Sequence, residues 1–175
     1  MPALPRPPLD WSAAVPFPGF SRESKIRLDG DGRFWHEGDR VDHPGLARGL
    51  HRWISRHPTD GRIVLENGWD WCYLAVDDVP YFVRGVSIEP GQAGEAGERL
   101  VVHLSDDSEE PLVLASLRVD AEGALRCEVK HAAKGGPFAA RFDRHAAAAL
   151  GEHLHEVDGR VVLRLGGQDH TLTQA

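Results

Sequence analysis

From Lys25 onward the chain is cut into short apolar runs by closely spaced turn residues, and that punctuation limits the fold to one built mainly from hairpins. Ile26 and Leu28 stand on one side of Asp29-Gly30-Asp31-Gly32 and Phe34 on the other, and the glycines supply the positive φ that a tight connection needs. Strand-like runs follow over 62–66, 71–76, 79–89, 99–105, 112–119 and 125–130. Between them lie Asn67-Gly68, Asp77-Asp78 and the stretches 90–97, 106–111 and 120–123, all rich in turn residues. Residues 160–165 and 168–173 read as a last hairpin across Gly166-Gly167.

Two segments break this rhythm with helical spacing. Asp42-His43-Pro44 opens the first, Pro44 suiting the first turn. Leu46, Leu50, Trp53, Ile54 and His57 then recur at i, i+4, i+7, i+8 and i+11, which predicts a helix over 43–57 ended by Pro58 and Gly61. Phe142, Ala146, Ala149, Leu150, Leu154 and Val157 predict a second helix over 142–157, with Asp143 at its favourable N-terminal end and Gly159 closing it. Antiparallel runs with two separated helices define an α+β fold of two small β-rich lobes, 25–89 and 99–175, each with one amphipathic helix. The Gly- and Glu-rich stretch 90–98 is the expected flexible boundary. Ahead of both lobes, residues 1–24 form a proline-rich extended arm, since six of the twelve prolines fall there and remove backbone donors. Its Trp11, Val15, Phe17 and Phe20 are too apolar for a free tail, so part of the arm should lie on the body.

Charge narrows the function classes. The 175 residues carry 20 basic and 27 acidic side chains, a net -7, which argues against nucleic acid as a partner because that binding rests on surplus basic groups. The excess is regional: residues 61–125 hold four basic and thirteen acidic groups, while both flanks are nearly balanced. Such a segment either protects strand edges by charge or presents an acidic face to a basic partner. No stretch approaches the ~20 apolar residues of a membrane span. The start lacks a basic region followed by an apolar one, so neither a signal peptide nor an anchor is expected. Cys72 and Cys127 lie far apart and read as reduced thiols of a cytoplasmic protein.

Local catalytic and metal motifs do not fit. His153-Leu154-His155 would diverge by about 200° around a helix, and His145 and His153 would sit ~12 Å apart along it, so no metal site is expected. Asp29-Gly30-Asp31-Gly32 fails as a calcium loop, because Arg33, Phe34 and Arg40 occupy the positions that need a ligand, the glycine and the terminal acid. There is no nucleophile elbow, and no phosphate loop or dinucleotide fingerprint; no cofactor is expected and no catalytic residue is assigned.

Aromatic placement is the more informative pattern. Trp35-His36-Glu37 follows the first hairpin turn, and Trp69-Asp70-Trp71 begins a strand that would send both indoles to one face. Two such indoles can anchor a core by packing on the helix through Trp53. They can equally wall a ligand pocket with Asp70, His36, Glu37 and Arg84 as its polar members.

These residues also carry a resemblance. The stretch from Ile26 through Asp29-Gly30-Asp31-Gly32-Arg33-Phe34-Trp35-His36-Glu37 to Gly38 resembles the opening signature of the bacterial domain of unknown function 1285 family. The likeness continues through Val76-Asp77-Asp78-Val79-Pro80-Tyr81-Phe82-Val83 and Phe138-Ala139-Ala140-Arg141-Phe142-Asp143-Arg144, covering roughly 25–172. A looser likeness to the domain of unknown function 4505 family follows a similar order of elements. The resemblance implies two small β-rich lobes, each with a helix, and lends no reaction.

The leading functional expectation is therefore a non-enzymatic accessory module that binds a small ligand or a protein. An enzyme with a dispersed acid–base site, His36 with Glu37 or Asp70, is the alternative. A homodimer through apolar side chains of one lobe is a third reading.

Overall fold

Turn geometry and alternating burial sort the strands into three sheets. This computed structural model describes residues 9–12, 18–91 and 97–174. The first sheet contains β1 (Glu23–Leu28), β2 (Phe34–His36), β3 (Asp39–Arg40), β4 (Ile54–Arg56), β5 (Ile63–Glu66) and β6 (Trp71–Val76), ordered β3-β2-β1-β6-β5-β4. Its pairings are antiparallel apart from β1 with β6. The second contains β7 (Tyr81–Pro90), β8 (Glu98–Leu104), β9 (Glu109–Pro111), β10 (Arg118–Val119), β11 (Leu125–Val129) and β12 (Phe138–Phe142), ordered β10-β11-β12-β7-β8-β9. A small third sheet is the meander β13 (Leu154–Val157), β14 (Arg160–Leu165) and β15 (Gln168–Thr171), after which β16 (Thr173–Gln174) extends the second sheet beside β10. With its two α-helices, this is the α+β, two-lobed architecture expected from the sequence.

Both helices are shorter than their spacing predicts. The first, α1, is Pro44–Arg52, capped by His43 Nδ1 accepting the Leu46 N–H at 3.2 Å. The second, α2, is Arg144–Gly151, capped by the Asp143 carboxylate accepting the Ala146 N–H at 2.8 Å. Ile54 and His57, expected in a helix over 43–57, thus fall outside α1, and Leu154 and Val157, expected in a helix over 142–157, fall outside α2. The reason is a better set of backbone partners. Ile54 pairs with Leu65 and Leu154 with Leu163 across antiparallel hairpins. The residue before each strand joins in: Trp53 O accepts the Glu66 N–H at 2.7 Å, and His153 O the Arg164 N–H at 2.9 Å. Each hairpin turns on the same words, Asp60-Gly61-Arg62-Ile63-Val64-Leu65 and Asp158-Gly159-Arg160-Val161-Val162-Leu163. The glycine of each takes φ 73°, where a side chain would be strained. A helix followed by an Asp-Gly-Arg hairpin is therefore a unit used twice.

The strand β7, assigned from the sequence to the first lobe, pairs with β8 and β12 in the second sheet. The stretch 90–98 thus joins two neighbouring strands; its residues 92–96 lie outside the described residues. At the start of β7, Tyr81, Phe82 and Val83 are all buried, which is the pattern of a strand covered on both faces. One side meets α2. On the other, the β1–β2 turn comes so close that a Cβ on Gly32 would lie 2.8 Å from the Phe82 ring and 2.6 Å from Arg84. One apolar core therefore runs from Leu28, Phe34 and Leu50 of the first lobe through Tyr81 and Val83 to Phe138, Leu150 and Leu163.

Polar ties cross the same junction. Asp78 accepts from Arg126 at 2.6 Å and from Arg141 at 3.3 Å. Arg52 donates to Asp106 O at 3.1 Å, and Arg56 to Gly135 O at 2.8 Å and Pro137 O at 3.2 Å. His51 is buried on α1 with its ring 4.7 Å from that of Phe34. Its Nδ1 lies 3.3 Å from Ser105 Oγ, which also accepts the Phe82 N–H at 3.2 Å, and the ring donates to the Gly32 backbone. Burial, reinforced by the Arg84 charge, pushes the His51 imidazole down to about 4 from its ordinary 6.5. The neutral ring is thus the folded form, and the unfolded chain takes up the extra proton. Stability from this group is complete above pH 6.5 and is lost as pH falls toward about 4. Thermal midpoints measured across that window should fall for the wild type, and His51→Gln should flatten the fall; an unchanged slope would refute the role given to His51.

Candidate functional site

Alternation along β1, β2 and β6 sends Ser24, Ile26, Phe34, His36 and Cys72 toward one face of the first sheet, the face on which α1 lies. Because α1 has few turns, it seals only part of that face. Leu50 is buried, whereas Leu46 and Trp53, on the same stripe, keep 47% and 39% of their surface exposed. What remains open is a trough between helix and sheet. Its two hollows, about 350 and 590 Å³, share Ile26, His36, Leu50 and Trp53 and so run into one another. Leu65, Cys72 and Phe20 extend the apolar lining at one end, and Val41 and Leu46 at the other.

The polar groups around it are mostly fixed by partners. Burial would raise the Asp70 carboxyl, but the Arg22 guanidinium and the Trp71 backbone hold it below the usual carboxylate range. Arg22 also donates to Trp71 O at 2.6 Å and stacks 4.6 Å from the Trp71 ring. Glu37, at positive φ in the β2–β3 turn, is held low by its hydrogen bond and ion pair with Lys25. His36, between these acids along the trough, makes no hydrogen bond to either among the described residues. Two carboxylates that stay charged, with no hydrogen bond to the histidine among the described residues, do not themselves offer a general acid. Burial pushes the Cys72 thiol up, and the wholly buried Cys127 up to about 12, so neither is an activated nucleophile. Among the described residues no three His, Cys, Asp or Glu side chains are grouped to hold a metal ion.

The candidates from the sequence separate into three places. His36, Asp70 and Trp71 line the trough, with Glu37 at its outer rim. Trp35 projects to the opposite face of β2, where its indole donates to Asp29 at 2.7 Å and Arg27 lies 5.7 Å from its ring. That placement corrects its grouping with His36. Trp69 and Trp71 do not share a strand face either: Trp69, 72% exposed, precedes β6 in a turn whose Asn67 side chain accepts the Trp69 and Asp70 N–H groups. Trp71 packs not on Trp53 but among Trp11, His57 and Tyr73. Arg84 lies apart, in a polar hollow with His103, Ser105 and Asp107, and faces Asp143 at 3.6 Å. Sequence reasoning missed Ile26, Leu46, Leu50 and Trp53 as site residues. The helical stripe named three of them, but spacing does not reveal how much of a stripe a short helix leaves uncovered.

This two-lobed α+β fold is similar to that of solved structures. A DUF1285 family protein from Silicibacter pomeroyi DSS-3 superposes with a TM-score of 0.57 and 19% identity, over 86% of this chain and 80% of that one. A second DUF1285 family protein, from Shewanella baltica OS155, does so with a TM-score of 0.55 and 11% identity, over 75% of this chain and 94% of that one. No family model and no curated protein matches the sequence. The chain thus resembles the DUF1285 family in its fold.

The contrast between the buried Trp71 and the half-exposed Trp53 is measurable. Trp71→Ala should cost about 3–5 kcal/mol in urea denaturation, as for a buried aromatic, and Trp53→Ala clearly less; equal costs would contradict the burial described.

Proposed function

We propose that the chain is a non-enzymatic binding module whose site is the trough between α1 and the first sheet, and that its ligand is a small molecule with an apolar body. The supporting observation is that Leu46 and Trp53 stand partly exposed across from Ile26 over an open, mainly apolar hollow, where a folded chain gains by covering them. Hollows of this volume suit small ligands, and a few polar groups around an apolar floor give orientation. His36, Asp70 and Glu37 are the proposed determinants; the Trp71 ring, committed to the other face of β6, is not among them. The acid–base alternative has less behind it, because Asp70 and Glu37 are both committed to cations.

We further propose that the lobe boundary falls at the turn Asp77–Pro80 rather than at 90–98, on the pairing of β7 within the second sheet. A cytoplasmic location is proposed from the two free thiols. No helix is long and apolar enough to cross a membrane among the described residues.

A thermal-shift screen with metabolites, nucleotides and sugars should yield hits that raise the midpoint of the wild type. Leu46→Lys, a substitution at a half-exposed position with a stability cost within about 0.5 kcal/mol, should abolish that response. Hits that survive Leu46→Lys, or a screen without hits, would sink the trough as the site.

A further inference from the structure

We infer that a second site, an aromatic socket formed by His57, Trp71, Tyr73 and Lys134, is an interaction surface for an extended, tryptophan-bearing peptide segment of a partner, and that the chain's own arm residues 9–12 keep it filled. The occupant shows what the socket reads. The Trp11 ring lies 5.7 Å from that of Trp71 and meets the His57 ring edge-on at 5.6 Å, with Lys134 Nζ 5.0 Å from its centre. The two successive carbonyls of the arm are read as well. Trp71 Nε1 donates to Asp10 O at 2.9 Å, and His57 Nε2 lies 3.3 Å from Trp11 O.

The walls are set by residues outside the bound segment 9–12. His57 Nδ1 faces the Thr59 and Asp60 N–H groups at 3.4 Å each and the Asp60 carboxylate at 3.2 Å, which fixes the ring with Nε2 turned toward the arm. Trp71 meets Tyr73 edge-on at 5.2 Å and His57 at 4.8 Å, and carries Arg22 on its ring. Tyr73 is anchored in turn by Asp60, its hydroxyl donating at 2.6 Å, and by Arg62 stacked 3.6 Å from its ring. Thus one fixed donor, Trp71 Nε1, and the imidazole edge of His57, both on buried side chains, point at a place where a peptide backbone runs. An occupant without a carbonyl there leaves the buried Trp71 donor unpaired, which is costly. The socket takes one indole and two backbone carbonyls and ignores the rest, since Asp10 and Ser12 on either side are exposed. Any extended segment carrying a tryptophan meets those requirements. The arm, held on the same chain, competes at the high effective concentration of a tethered ligand.

The test uses the full chain and the acetylated, amidated, dye-labelled peptide Leu-Asp-Trp-Ser. Fluorescence anisotropy should show saturable binding to Trp11→Ala and at least tenfold weaker binding to the wild type, whose arm competes. A control peptide with alanine for tryptophan should not bind. Circular dichroism checks that Trp11→Ala is folded. If it is not, Trp11→Phe, which keeps a ring in place, should bind the peptide with a strength between wild type and none of the arm's competition. No saturable binding to a folded variant, equal binding to wild type, or equal binding of the control peptide would overturn the inference. So would a wild-type dimer in solution that Trp11→Ala converts to monomer, which would assign the socket to the arm of a second copy.

Discussion

The start of β7 is buried on both faces, and the rest of the molecule is arranged to cover Tyr81, Phe82 and Val83. A strand in that position cannot alternate polar and apolar residues, so each face must be closed by other elements. The second helix closes one. The β1–β2 turn closes the other, at a distance only glycine at position 32 permits. The two lobes thus share a core and cannot part without exposing it. The arginine ties to Asp78, Asp106 O and Gly135 O, and the neutral His51 against Ser105, fix the geometry of that contact more than its strength. Buried polar groups gain little net energy when satisfied but cost much when left alone.

The trough is a consequence of the same arrangement. The chain leaves α1 at Trp53 because β4 and β5 offer backbone partners that a longer helix would forgo. A short helix lays one apolar residue, Leu50, fully on the sheet and leaves its neighbours on the stripe half in water. In the second unit the corresponding helix is rich in alanine and lies close on β7, with Ala146 and Leu150 completely buried. The repeated helix–hairpin unit therefore serves the core at one end of the molecule and leaves an open surface at the other.

Much of this was legible beforehand. Turn residues marked the hairpins, Asp143 and Pro44 marked the helix starts, and the run Tyr81-Phe82-Val83 already read as a strand. Trp35 and His36 are adjacent and so face opposite ways in any strand, which separates them by alternation alone. Other parts were not legible for a physical reason. Ile54 and Leu154 fit a helical period and a strand pairing equally well, and the choice fell to partners distant in sequence, Leu65 and Leu163. Trp69 and Trp71 differ by two positions, yet a turn held by Asn67 places one in water and the other in an aromatic cluster.

The sequence by itself determined the α+β class, where the two helices start, most of the strands and turns, and the acidic, motif-poor character of the chain, because these follow from local propensity, spacing and charge. Only the tertiary structure decided which sheet β7 joins, how much of the α1 stripe stays uncovered, and that Trp11 of the arm meets Trp71 and Lys134. Each of these depends on contacts between residues tens of positions apart, and no local pattern encodes which of several apolar surfaces will meet.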